Sequence, residues 1–288
     1  MPQPGPPVKP IHPEWLEQLR KWQPQNRGPL RAKADEPDDL SITNPCIISP
    51  DARYRGAENQ LYRVEIHQGG AVSSPATFKW SRENGSVALP IRTANGRKLT
   101  LEHLGRDARF SVEVGDWVEI EGFNFEKKDL VQPSPLLQIE EVNYIDMTVT
   151  VNEETPDVSE GRRVLRRWDQ KAGDPRIGGL ELRDGAAIIK EDSADVNENW
   201  LNLEDGIKIQ FVQTPNTLYR RGDYWVIPAR TATGDVEWPG PVGNPVPLPP
   251  HGVEHHYAPL ARIKVDAVGV TLLADLRRKF PGLAVCPP

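Results

Sequence analysis

His251, His255 and His256, with Glu254 between them, form the most metal-like cluster in the chain. Imidazole nitrogens are good zinc or nickel ligands, and a spacing of four brings two of them to one ion on a helix. Pro249-Pro250 before the cluster and Tyr257-Ala258-Pro259 after it favour an extended segment, where that convergence is less natural. The three are thus candidate ligands of a metal-dependent hydrolase, weighed against a hydrogen-bonding or structural role that the flanking prolines favour. A second chemistry, glycoside hydrolysis, needs two carboxylates facing each other at a set separation. Asp116, Glu119, Glu204, Asp205, Asp223, Asp235 and Glu237 are the acids that could supply it. Most of them flank glycine at turns, where Asp caps the backbone, and turn chemistry is the reading they fit better.

Eight tryptophans make a stacking platform for sugars conceivable. Trp80, Trp117, Trp200 and Trp225 lie in alternating segments beside aliphatic residues, which points to core packing. Trp238, between Glu237 and Pro239, is the one expected to be exposed, and with Trp15 and Trp22 it is a candidate interface residue. No Gly-x-Ser-x-Gly, His-Glu-x-x-His, P-loop or dinucleotide fingerprint occurs. No catalytic or cofactor-binding residue is nominated, no cofactor is expected, and the enzyme hypothesis has no positive support.

The elements that must hold these residues are mostly strands. Leu61–His67 and Ala76–Arg82 alternate apolar with polar and stop at Gly69-Gly70 and at Glu83-Asn84-Gly85, the latter a strong turn signal because Asn-Gly accepts positive φ. Ser86–Ile91 reads as a return strand, and Asn95-Gly96 as a turn before Lys98–Leu101. Phe110–Val114, Trp117–Ile120, Leu136–Val142 and Met147–Val151 follow as a block expected to form a small antiparallel barrel or sandwich. A second block holds Ala186–Lys190, Trp200–Leu203, Ile207–Phe211 and Tyr224–Ile227, separated by Gly-containing turns. Gly115-Asp116-Trp117-Val118 and Gly222-Asp223-Tyr224-Trp225-Val226 share a pattern that either records a duplication or is a common way to start a strand.

Residues 13–23 read as a short amphipathic helix, Pro13 in its first turn and Trp15, Leu16, Leu19 and Trp22 on one face. Near the other end, His255–Val265 reads as a last strand. Leu272, Leu273, Leu276 and Phe280 fall at helical spacing, with Thr271-Leu272-Leu273 as a strand end the open alternative. The expected organisation is a proline-rich arm with one helix (1–45), a first β block (46–170), and a second β block with a proline-rich loop and a short C-terminal helix (171–288). The fold class is mainly β, antiparallel barrel or sandwich blocks.

Composition narrows the partners. The 288 residues carry a formal net charge of −6 and 29 prolines, the latter about twice the usual share. Prolines cluster at residues 2–13 and 239–250, read as extended arms or linkers. Nucleic acid is disfavoured, because phosphate neutralisation needs a basic stripe. The densest basic run, Arg162, Arg163, Arg166 and Arg167, is short and reads as a solvated strand end. No window approaches the ~18 apolar residues of a membrane span, so no membrane insertion is expected. The N-terminus has neither the basic nor the apolar region of a secretory signal, so synthesis is expected in the cytoplasm, with any export by another route. Cys46 and Cys286 read as two separate thiols rather than a long-range disulfide.

Six blocks, taken in order, carry a resemblance. They are Pro45–Ile47 with Tyr54–His67, Ala76–Ser86, Leu165–Asp169, Gly222–Thr231 and His255–Leu260. Together they resemble DUF6519, a family of uncharacterised bacterial and phage proteins, over most of residues 45–280. The resemblance implies an association with phage-tail or contractile-injection-system genes. Many such relatives carry a further N-terminal module that looks tail- or baseplate-associated, whereas this chain starts with a proline-rich arm and one helix. It transfers no catalytic residues. The expectation that follows is a non-enzymatic structural or adaptor component of a phage-tail-like particle, contacting other particle subunits or itself. A glycan- or surface-binding β module is the alternative, and the metal-dependent hydrolase a second one.

Overall fold

The computed structural model describes residues 13–23, 26–35, 53–70, 76–122, 134–155, 163–192, 199–212, 214–254 and 256–277. The chain divides into two compact units, one of Asn26–Val253 and one of Met1–Gln25 with Glu254–Pro288.

The larger unit is built on a six-stranded antiparallel sheet in the order Leu182–Arg183, Ala186–Ile188, Thr77–Ser81, Gln60–Gln68, Tyr224–Arg230, Asp235–Val236. Its register sets Val64 opposite Trp80 on one side and Trp225 on the other. Period-two alternation then turns Tyr62, Val64 and Ile66 to the same face, and all three are buried. A second, four-stranded sheet packs there: Leu30–Ala34, Ile207–Val212, Leu201–Asn202 and Glu191–Asp192. Phe211 of this sheet meets Phe78 and Trp225 of the first at ring distances of 5.1 and 5.8 Å. The two sheets share one core, in which Leu30, Ala32, Ile209 and Ile227 are fully excluded from water.

Strand Leu30–Ala34 lies inside the segment expected to be only an arm and a helix. Its inward residues are Leu30, Ala32 and Ala34, alternating with Arg31 and Lys33. Two alanines give too little contrast in hydropathy for the alternation to stand out.

Between strands Thr77–Ser81 and Ala186–Ile188 the chain inserts a complete second body. Six strands pair in a closed ring, Ala88–Asn95, Lys98–Leu101, Thr148–Val151, Leu136–Asn143, Trp117–Gly122, Arg163–Trp168 and back to the first. Leu89, Leu99, Leu101, Val118, Ile139, Val149 and Leu165 fill its interior. Bulges between Ile91 and Thr93 and between Ile139 and Glu141 supply the bends that so small a ring requires. The Asn95-Gly96 turn forms where expected, with Gly96 at φ +59°. Phe110–Val114, expected as a strand, is a 3-10 turn at Ala108–Phe110 followed by irregular chain, and Val112 enters the ring interior from it.

The residue 170/171 boundary expected between the two β blocks separates strands that share one sheet, since Gln60–Gln68 pairs directly with Tyr224–Arg230. Arg166 and Arg167 of the basic run are not at a solvated end, and Arg162 lies outside the described residues. Arg167 is buried and paired with Asp169 at 3.1 Å, and Arg166 is bidentate to Glu121 at 2.8 Å. The proline-rich stretch 239–250 is not a free arm either. Leu248 and Leu30 exchange backbone hydrogen bonds of 2.9 and 3.0 Å, Trp225 Nε1 donates to Leu248 O at 2.9 Å, and Val246 N donates to Pro239 O at 2.7 Å.

In the smaller unit, helix Pro13–Trp22 forms as expected. Strands Ala261–Asp266 and Gly269–Asp275 make an antiparallel hairpin. Leu272 and Leu273 therefore lie in a strand, where Val270 and Leu272 alternate with Thr271 across the pleat. Among the described residues no helix follows them, and Phe280 lies outside those residues. No helix among the described residues is long and apolar enough to cross a membrane.

Candidate interaction surfaces

The histidine cluster is divided between the two units. His251 belongs to the larger one, where its backbone pairs with Tyr224 through bonds of 2.8 and 3.0 Å and its ring lies 5.5 Å from the Tyr224 ring. His256 belongs to the smaller unit, 3.7 Å from Glu254, and both side chains are exposed. His255 lies outside the described residues, as do Cys46 and Cys286. Among the described residues, no group of three His, Cys, Asp or Glu side chains is placed to hold a metal ion.

Asp116, Glu204, Asp223, Asp235 and Glu237 each meet a cation or a backbone amide. Asp116 caps the turn before its strand, accepting from Glu113 N at 2.9 Å. Asp223, buried, pairs with Arg27 at 3.0 Å; Asp235 pairs with Arg53 at 2.7 Å, and Glu237 with Arg230 at 2.9 Å. Glu204 meets Arg82 at 2.6 Å. Burial pushes the Glu204 carboxyl up, aided by Asp205 and Asp169 and opposed by Arg82. Asp205 itself adopts φ +48° in the turn before Ile207–Val212. These are turn-capping and ion-pairing roles.

Of the tryptophans, Trp80 and Trp225 are core residues, and Trp117 is half-buried against Leu136, Trp168 and Ala186. Trp200 is half-buried under Lys33, whose ammonium lies 4.4 Å from the ring centroid. Trp238, expected to be exposed, is half-buried: its ring packs on the sandwich core and its Nε1 donates to Val246 O at 2.9 Å. It fastens the proline-rich loop instead of presenting a platform.

Sequence reasoning missed a buried ionic seam between ring and sandwich. Lys79 points out of the six-stranded sheet, where alternation would send it into water. It instead pairs with Glu119 of the ring, both side chains 5% exposed, and lies 3.4 Å from Glu65. Trp168 Nε1 donates to the same Glu119 oxygen at 3.1 Å, and the Lys79 ammonium sits 4.2 Å from the Trp168 ring centroid. The backbone continues the seam, with Asp169 N donating to Trp80 O at 2.8 Å. All five residues of strand Thr77–Ser81 are consequently buried. The available signal was the pairing of an alternating strand with a later Glu flanked by aliphatics on both sides.

The smaller unit exposes large aromatic and aliphatic side chains. Trp15 and Trp22 meet edge to face at 5.7 Å, and Trp22 lies 5.1 Å from Tyr257, with Trp22 41% and Tyr257 39% exposed. In the hairpin, Ile263 stands opposite Leu272 and Val265 opposite Val270, so that all four side chains project from one face. Their exposures run from 53% to 69%.

A family model of unknown function, DUF6519, matches residues 24–272. No curated protein and no solved structure matches the chain. The family match takes in both sheets of the sandwich, the inserted ring and the first strand of the hairpin, and the chain accordingly belongs to the DUF6519 family.

Proposed function

We propose that this protein is a non-enzymatic structural or adaptor component of a phage-tail-like or contractile injection particle, acting through protein–protein interfaces. The hairpin's aliphatic face carries this reading. A two-stranded hairpin is marginal in water by itself. Its four opposed aliphatic side chains, Ile263, Val265, Val270 and Leu272, form a contiguous exposed apolar patch of the kind that marks an interaction site. Trp15, Trp22 and Tyr257 add large aromatic surfaces in the same unit, a residue type enriched in binding hot spots. Glu204, Asp223, Asp235 and Glu237, by contrast, are tied up in ion pairs.

The test is Val270→Asp combined with Leu272→Asp, compared with wild type by light scattering across a concentration series and by imaging of assembled particles. The expected outcome is an assembly that the double substitution disperses. A wild-type chain that stays monomeric at high concentration, with particles that form equally well from the variant, would overturn the reading.

A further inference from the structure

A half-open cleft of about 340 Å³ lies where the inserted ring meets the sandwich, lined by Glu113, Asp116, Trp117, Gln138, Lys171 and Leu182 among others. From this lining we infer that the cleft binds a neutral saccharide, one or two rings of a longer glycan. The site is distinct from Trp238, and it does not depend on the hairpin surface.

The argument starts with Trp117. One side of its indole is packed on the Gly185 turn: a Cβ at Gly185, itself at φ +78°, would lie 2.5 Å from Trp117 Cε3. Leu136 and Ala186 complete that support. The supported, half-buried Trp117 is one of the residues lining the cleft, with half-buried Leu182 as a second apolar residue. A pyranose offers a C–H face to such an indole and hydroxyls around its rim.

The rim supplies both hydrogen-bonding senses. Glu113 and Asp116 carry carboxylate oxygens that accept from hydroxyls, and Lys171 carries an ammonium that donates to them. Gln138 is oriented by its Nε2, which donates to Gly115 O at 3.1 Å and leaves Oε1 to accept. Asp116 is fixed through the Glu113 amide at 2.9 Å. Glu113 and Asp116 sit on the turn before Trp117–Gly122, Gln138 on Leu136–Asn143 and Lys171 just after Arg163–Trp168, all of them beside strands that the ring holds together.

Charge selects among ligands. Two carboxylates against one ammonium repel phosphates and acidic sugars. Lys171 in turn disfavours a cationic amine over the indole, the other ligand that aromatic and acid groups commonly share. The volume is at the low end of the range of about 300–1,000 Å³ for ligand pockets, and the open side suits a chain that runs past the cleft.

Saturation-transfer NMR on the full chain with maltotetraose, cellotetraose, chitotetraose and spermine tests this. The expected result is binding of at least one sugar with Kd on the order of 1 mM. Glu113→Gln with Lys171→Ala, both exposed positions, should weaken it about tenfold or more. Trp117→Phe, which keeps a packed ring, should retain it where Trp117→Ala loses it, and Trp238→Phe should leave it unchanged. No transfer to any of the three sugars, a preference for spermine, or sugar binding indifferent to the Glu113, Lys171 and Trp117 substitutions would each overturn the assignment.

Discussion

His67 shows how much a single pleat position can matter. The register of Gln60–Gln68 against Thr77–Ser81 slips between Ile66 and Gln68, leaving His67 as the bulged residue, and its side chain is buried. Burial, then the charges of Lys79 and Arg221, pushes its pKa down from 6.5 to about 3. The folded imidazole stays neutral where the unfolded one takes up a proton. Its contribution is therefore fully present above about pH 6.5 and is lost as pH falls towards 3, by at most about 1.4 kcal/mol per pH unit. Urea midpoints at pH 7.5 and 5.0 should drop for wild type, and the drop should be smaller for His67→Gln. An equal drop in both proteins would place the acid sensitivity in other groups.

The turns were the most legible elements in the sequence. Asn84 and Gly85 adopt left-handed backbone at φ +54° and +67°, and Gly96 at +59°. Only the Asn95-Gly96 turn joins paired strands, because the expected return strand Ser86–Ile91 leaves the sheet and pairs with Arg163–Trp168 of the ring instead of with Thr77–Ser81. What could not be read had three physical causes. Alanines muted the periodicity of Leu30–Ala34, whose partner lies at residues 207–212. Thr271-Leu272-Leu273-Ala274 satisfies helical and strand spacing alike, and pairing with Ala261–Asp266 decides between them. Proline density at 239–250 suggested a free arm, because Pro lacks a donor and extends the chain, yet the carbonyls of Val246 and Leu248 remain to accept from Trp238 and Trp225. As a consequence this loop should resist limited proteolysis in the wild type. Trp238→Ala removes one of those two donors and the packing beneath the loop, and cleavage within residues 239–247 should speed up severalfold. Unchanged digestion kinetics would mean that the Leu30–Leu248 pairing alone suffices.

The whole larger unit is governed by the seam at Lys79. The candidate-site residues were legible as types, such as acids at turns and tryptophans in strands, but not as partners, because pairings such as Lys79–Glu119, Arg27–Asp223 and Arg53–Asp235 span long stretches of sequence. Lys79 and Glu119 come from different sheets, and neither can reach water. Lys79→Met leaves Glu119 buried without its cation, which should cost about 3–5 kcal/mol. Adding Glu119→Leu should recover a good part of that loss. Because Trp80 O accepts from Asp169 N and Trp168 lies under Lys79 across this seam, wild-type unfolding followed by tryptophan fluorescence and by backbone circular dichroism should give coincident curves. Separate transitions in wild type would show that ring and sandwich melt independently.

The insertion of the ring into the sandwich also orders events in time. All six ring strands come from one uninterrupted stretch, residues 88–168, so this part can close as soon as that stretch leaves the ribosome. The sandwich cannot do so: strand Gln60–Gln68 must wait for Tyr224–Arg230, and Leu30–Ala34 for Ile207–Val212. A nascent chain halted shortly after residue 168 would thus carry a finished guest inside an unfinished host, with Tyr62, Val64 and Phe78 still uncovered. That interval is when the protein is most open to chaperones and to misassembly.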